Sequence, residues 1–528
     1  MTVDVVVVGA GFAGMYLLYH LRRNGFTAVA LEAGDGVGGT WYWNRYPGAR
    51  CDVESMQYSY QFSPELEQEW EWSERYATQP EILAYANHVA DRYDLRRDIR
   101  FNTRVTSARR NDDDGTWTVT TDKDDVLVGG SVVLATGCLS STNRPDFAGI
   151  DDFAGAIYHT GEWPRDGVDF TGKRVGIIGT GSSAIQSIPL IAEQAEELFV
   201  FQRTPNYAIP AHNRPHDPDY VATVKADYRA IRDQAKTQPA GIMLEMNNVS
   251  ALEVDDATRT QMFEERWEKG GITFLGVFND LMLNADANRT AADFVRSKIR
   301  DIVDDPATAE LLSPSNIIGC KRLCVDTDYY KTFNRPNVHL VDVSGDAIER
   351  LTETGLRTEG GRTFAFDAIV FATGFDAMTG SIMRIDIRNG EGRSLADKWS
   401  EGPKTYLGLM TAEFPNLFMV NGPGSPSVLT NMLPSIEMHV EYITDMLTHL
   451  RERGLDRIEP THEAEEGWVA HGDDIAGQSL RSTCSSWYVG ANIPGKPRVF
   501  MPYIGGLPAY LAKCNDVAAK GYEGFQVG

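Results

Sequence analysis

Two glycine clusters, each directly behind a short apolar run, constrain this chain more than anything else in it. The first follows Val5–Val8 and reads Gly9-Ala10-Gly11-Phe12-Ala13-Gly14, opening a helical stretch from Met15 to Asn24. Glycines at this spacing allow a tight turn, close approach of the backbone to a pyrophosphate and close packing of helix on strand, while the helix N-terminus offers amide donors to phosphate. The next apolar run, Ala28–Leu31, ends at Glu32. A carboxylate there accepts hydrogen bonds from ribose hydroxyls and repels a 2′-phosphate. The second cluster, Gly179-Thr180-Gly181-Ser182-Ser183-Ala184, follows Val175–Ile178, and its next run, Leu198–Gln202, ends at Arg203-Thr204. A guanidinium pairs bidentately with a 2′-phosphate, so this unit is expected to take NADPH. The expected fold is α/β, with two Rossmann-like dinucleotide-binding domains; each closes on an Ala-Thr-Gly string, at Ala135–Gly137 and Ala372–Gly374.

Composition narrows what such a chain does. At 528 residues it exceeds one ordinary core. Its net charge of -24, from 74 acids against 50 bases, excludes the basic footprint that a nucleic-acid partner requires. No apolar run reaches the ~20 residues that span a bilayer. A strand begins at Asp4, so no leader is expected and the location is taken as cytoplasmic. The six cysteines are scattered and suggest neither a disulfide framework nor a zinc site, and Cys320 and Cys324 are read as packing residues. No metal is expected.

Between the two nucleotide units lies Phe153-Ala-Gly155-Ala-Ile-Tyr-His159-Thr-Gly-Glu-Trp163-Pro164. By composition alone it is a linker. It also resembles the signature of the Baeyer–Villiger monooxygenases, with Phe153, Gly155, His159, Trp163 and Pro164 at the fixed positions, and the likeness runs along essentially the whole chain, nearest to phenylacetone and steroid types. The resemblance implies FAD in the first unit, held by Gly9, Gly11, Ala13, Gly14 and Glu32, by Gly39, Thr40, Trp41 and Asp52 of the aromatic loop 38–52, and by Tyr58, Val105 and Met432. It implies NADPH on Gly179, Thr180, Gly181, Ser182, Ser183, Arg203, Thr204, Lys321 and Arg322, with Trp487 closing over it. The domains follow: 1–140 and 377–528 for FAD, 141–174 as linker, 175–212 and 317–376 for NADPH, and 213–316 as a helical insertion in the NADPH domain.

The chemistry implied is insertion of one oxygen from O2 beside a ketone carbonyl, through a C4a-peroxyflavin. Arg322 would hold the negative charge and Asp52 would position it; a fixed cation suits that task because arginine does not deprotonate. Two alternatives stand beside this reading: an N- or S-oxygenating flavin monooxygenase, and a catalytically idle flavoprotein scaffold. His159 is expected to be a hydrogen-bonded hinge and His439 a structural residue. The loop from Gly424 to Met432 is expected to line the ketone pocket and to favour aryl or linear methyl ketones. The protein is expected to be a monomer or weak homo-oligomer.

Overall fold

A computed structural model describes residues 1–528. The β-branched run at the start forms the strand Thr2–Val8, in which Val5, Val6 and Val7 are fully buried, as a strand flanked on both faces requires. It lies inside an eight-stranded sheet, parallel to Ala28–Leu31 on one side and to Val126–Leu134 on the other. Val126–Leu134 pairs antiparallel with Thr116–Thr121, which pairs with Val105–Asn111. The last third of the chain returns to this sheet, adding Asp386–Arg388 beside Val105–Asn111 and Leu417–Met419 beside Val132–Leu134. The helix Met432–Arg453 then packs along Phe12–Arg23.

The second sheet has five strands, all parallel, in the order Val338–Asp342, Glu197–Gln202, Arg174–Ile178, Ala368–Phe371 and Ala156–His159. The signature segment is therefore more than a connection. Its residues Ala156–His159 form the edge strand, in register with Ala368–Phe371.

Residues 213–316 are helical, but they do not form one body on the second sheet. The helices Asp256–Lys269, Ala285–Ile302 and Pro306–Leu312 bury Phe263, Trp267, Val295, Ile299 and Leu312 in the second sheet's core. The helices Pro218–Ala226 and Tyr228–Lys236 instead send Val224 and Tyr228 into the first core. Tyr228 is tied there, its hydroxyl donating to the Met56 carbonyl at 2.8 Å.

The cysteine reading needs correction. Cys320 is paired with Cys484 in a disulfide across 164 residues of sequence, with a Cα–Cα distance of 5.7 Å. Spacing could not reveal it, because the partners meet only through the tertiary fold. Cys51, Cys138, Cys324 and Cys514 are free and buried. No helix is long and apolar enough to cross a membrane, and no cluster of side chains is arranged to hold a metal ion.

Candidate functional site

The two glycine clusters are built alike. Gly9 and Gly179 both have positive φ, 103° and 120°, and a Cβ on either would run into a backbone carbonyl, that of Ala135 or that of Ala372. Each strand-to-helix turn thus folds over the alanine of its own Ala-Thr-Gly string, which accounts for the echo in the sequence. Gly14 packs against the strand, since a Cβ there would collide with the Gly9 carbonyl. The helices that follow, Phe12–Arg23 and Ser182–Gln194, start at Gly11 and Gly181 with no side chain capping their N-termini. Their first amide groups are left for an anion.

Both turns open into one cavity of about 1780 Å³. That is larger than the roughly 300–1,000 Å³ of a pocket for one small ligand, which leaves room for more than one. Of the first expected set, Gly9, Gly11, Ala13, Glu32, Gly39, Thr40, Trp41, Asp52, Tyr58, Val105 and Met432 line it. So do Gly179, Thr180, Gly181, Ser182, Ser183, Arg203, Thr204, Lys321, Arg322 and Trp487 of the second. Gly14 alone stands behind the wall. Glu32 is buried at the end of its strand, where its carboxylate oxygens accept from the Ala10 and Gly34 amides, each at 2.8 Å. Carboxylate oxygens have lone pairs beyond these two bonds, which suits a ribose.

In the lining of the cavity Arg322 and Asp52 meet side on. The Nε donates to Oδ2 at 2.6 Å and a terminal nitrogen donates to Oδ1 at 2.9 Å, a bidentate pair between residues 270 apart in sequence. The other terminal nitrogen donates to the Val428 carbonyl at 2.5 Å. Burial pushes the Asp52 carboxyl up, but the charge and hydrogen bonds of Arg322 outweigh it, so Asp52 lies below the usual carboxylate range. Burial likewise disfavours the Arg322 cation, and Asp52 more than restores it. The pair is ionised throughout the neutral range. Beside it, Lys321 is lowered from the ordinary lysine value, first by burial and then by the neighbouring Arg203 charge. Two cations forced together form a site that an anion would relieve.

His159 is buried, and burial pulls it down to about 4. It is neutral at ordinary pH. Its Nδ1 accepts from the Gly161 amide at 3.0 Å, while Nε2 lies 3.3 Å from both the Asn143 carbonyl and the Thr373 hydroxyl. Thr160, next in the chain, bonds the Ser183 hydroxyl at 3.1 Å. The signature therefore pins the edge strand to the second glycine cluster and to the second Ala-Thr-Gly string. His439 is fully buried and bonded to the Asn421 amide and the Tyr510 hydroxyl, each at 2.8 Å.

Sequence reasoning missed two contributors. The Val428 carbonyl is a backbone group, and no side-chain type announces it. Tyr488, buried next to Trp487, lies close enough to Arg322 to feel its charge; an aromatic beside an expected lid tryptophan was the available signal.

The chain is similar to known proteins along its whole length. Residues 6–269 match the family described as pyridine nucleotide-disulphide oxidoreductase. A Baeyer–Villiger monooxygenase of Pseudooceanicola batsensis is 43% identical over 98% of this chain and 95% of its own length. Among solved structures, an oxidised steroid monooxygenase bound to NADP superposes with a TM-score of 0.95 at 53% identity, covering 100% of this chain and 99% of the other. A closed cyclohexanone monooxygenase superposes at 0.98 with 45% identity and the same coverage. With this likeness along its whole length, the chain belongs to the Baeyer–Villiger monooxygenase family, FAD-containing enzymes that use NADPH to oxidise ketones.

Proposed function

We propose that Arg322, fixed by Asp52 and the Val428 carbonyl, is the cation on which ketone oxidation turns in this protein. The observation that carries the reading is the count of donors. A guanidinium has five N–H groups; three are engaged, by the two Asp52 oxygens and Val428. Two remain, one on each terminal nitrogen, on a residue that lines the cavity. Donors fixed in advance at the place where negative charge develops lower a barrier without reorganising.

Bound FAD, reduced by NADPH, supplies the activated oxygen. The residues around it then have separate tasks. The uncapped helix ends at Gly11 and Gly181 hold the pyrophosphates, and Glu32 takes the ribose of FAD. Arg203 and Lys321 read the NADPH 2′-phosphate, which offsets their mutual repulsion. Trp487 would cover the bound NADP and exclude water, while Arg322 would hold the ketone oxygen as negative charge develops on it and the ester forms.

The substrates proposed are aryl, linear methyl or steroid ketones ahead of small cycloalkanones. Support comes from the higher identity to the steroid enzyme, 53% against 45% for the cyclohexanone enzyme, and from Val428, Thr430 and Met432 lining the cavity. An Arg322→Ala protein should still let NADPH reduce its flavin and yet make no ester from a mixed ketone panel analysed by mass. Ester formed at the wild-type rate would reject the assignment, and oxygenation of a tertiary amine in place of every ketone would replace it.

A further inference from the structure

The disulfide joins the two segments that flank the proposed nucleotide site. Cys320 is adjacent to Lys321 and Arg322, and Cys484 precedes Ser485, Ser486 and Trp487, all of which line the cavity. Its Cα–Cα distance of 5.7 Å is inside the range that bridges without backbone movement.

The segment from 484 to 498 is fastened differently at its two ends. Its far end is held by polar contacts: Asn492 donates to the Phe375 carbonyl at 2.7 Å, and Lys496 donates to Asp376 at 2.5 Å and to the Ala377 carbonyl at 2.7 Å. Its near end has the Arg481 Nε contact to the Gly319 carbonyl at 3.2 Å, the Leu480 amide and the Ser479 hydroxyl on the Met282 carbonyl at 2.9 and 3.5 Å, and the sulfur–sulfur link. Between these ends the chain runs in short turns, with Gly490 at a φ of 70°, and one side chain anchors it: Tyr488 is buried against Ala377, Met378, Val428 and Met501, and its carbonyl accepts from the Met501 amide at 3.0 Å. Removing the link leaves Trp487 between the buried Tyr488 and a near end fastened by three hydrogen bonds alone.

We infer that Cys320 and Cys484 form a reversible redox latch that sets how freely the Trp487 segment leaves the cavity mouth, and with it the exchange of NADP. The inference rests on the reading of that segment as the cover of the nucleotide. In the dithiol state the segment opens and nucleotide exchanges during turnover. In the disulfide state the cover is tied to the backbone next to Lys321 and Arg322, nucleotide is retained and turnover slows. The oxidant is a small-molecule disulfide of the glutathione type. One cysteine thiolate attacks it and expels one thiol; the second cysteine attacks the mixed disulfide and expels the other. Two electrons pass from the protein sulfurs to the reagent, and the two cysteine protons leave with the two product thiols. A reducing compartment keeps the pair open, and an oxidising episode closes it.

The test uses the FAD-loaded protein, treated with dithiothreitol or with oxidised glutathione. Three readouts are compared: peptide mass mapping without reduction, amide hydrogen exchange of 485–498 without nucleotide, and NADP⁺ dissociation by stopped flow. Oxidised protein should yield a peptide linking Cys320 to Cys484, slower amide exchange in the segment, and NADP⁺ release slower by about tenfold or more, as gating by a covalently held lid implies. Dithiothreitol should reverse all three, and Cys320→Ser and Cys484→Ser should each keep the fast values under oxidant. The latch is refuted by absence of the linked peptide, by equal amide exchange in the two redox states of the wild type, by equal NADP⁺ release in those states, or by Cys484→Ser responding to oxidant as the wild type does.

Discussion

Removing the Asp52 carboxylate tests the centre of the site, because it separates the value of a charge pair from the value of the arginine it holds. In Asp52→Ala, Arg322 keeps only its bond to the Val428 carbonyl. Truncating one member of a buried ion pair costs about 3–5 kcal/mol, mostly because a desolvated charge is left alone. Here the two side chains keep 28% and 23% of their exposure, through the cavity they line, so the lower end, about 3 kcal/mol, is expected. Ester formation should fall further, by about 10²–10³-fold, as when a preorganised donor is lost. NADPH oxidation should continue, now without product. The control is Asp52→Ala with Arg322→Met, which removes the orphaned charge. Urea denaturation followed by flavin fluorescence should show the double variant regaining most of the lost stability, while gas chromatography shows no ester. A double variant no more stable than Asp52→Ala would refute the account of the pair, and wild-type ester formation by Asp52→Ala would refute its role.

Further outcomes follow from the same structure. Arg203→Ala and Lys321→Ala should each raise the KM for NADPH by roughly ten- to a hundredfold, since a charge-assisted contact to phosphate is worth about 1.5–3 kcal/mol; NADH kinetics should scarcely move, and equal losses with both cofactors would contradict phosphate reading. Glu437 is buried and accepts from the Gln61 and Phe62 amides, and burial raises it to about 8. A raised carboxyl destabilises the fold increasingly as pH climbs from the unfolded value towards 8, because only the unfolded chain ionises. Glu437→Gln should therefore be near neutral at pH 5 and gain up to several kcal/mol over the wild type at pH 8, since the penalty grows by about 1.4 kcal/mol for every tenfold fall in proton concentration across that window; urea midpoints at the two pH values check the sign. Val428→Ala keeps the carbonyl on Arg322 while removing side-chain volume from the cavity, and it should shift product ratios in a mixed ketone panel towards bulky cyclic ketones with little loss of total turnover.

Local rules made much of this chain readable. Valine runs marked the buried parallel strands, and glycine spacing marked the two strand-to-helix turns. What stayed hidden was decided at long range. Whether Pro218–Ala226 and Tyr228–Lys236 belong to one core or the other depends on where Tyr228 finds an acceptor, and that acceptor is the Met56 carbonyl, 172 residues away. The Cys320–Cys484 pair had no local pattern because each cysteine lies in irregular chain. The signature at 153–164 looked like a connector since a four-residue edge strand is too short to show a period, yet the parallel register with Ala368–Phe371 makes it part of a sheet.

The attachment of Arg322 has a consequence for recombination between relatives. Its three hydrogen bonds reach Asp52, 270 residues before it, and Val428, 106 residues after it, so the arginine is assembled from three stretches that crossovers readily separate. Asp52 and Arg322 can be preserved by copying letters. The Val428 contact cannot, because it depends on where a carbonyl points, and Ser427 just before it sits at a φ of 43°, a conformation that an altered loop length would not keep. A chimera joined between 322 and 428 can thus inherit every side chain of the site and still aim its guanidinium wrongly. Such hybrids should fold, turn yellow with flavin and consume NADPH, and they should sort into productive and wasteful enzymes by the length of one loop.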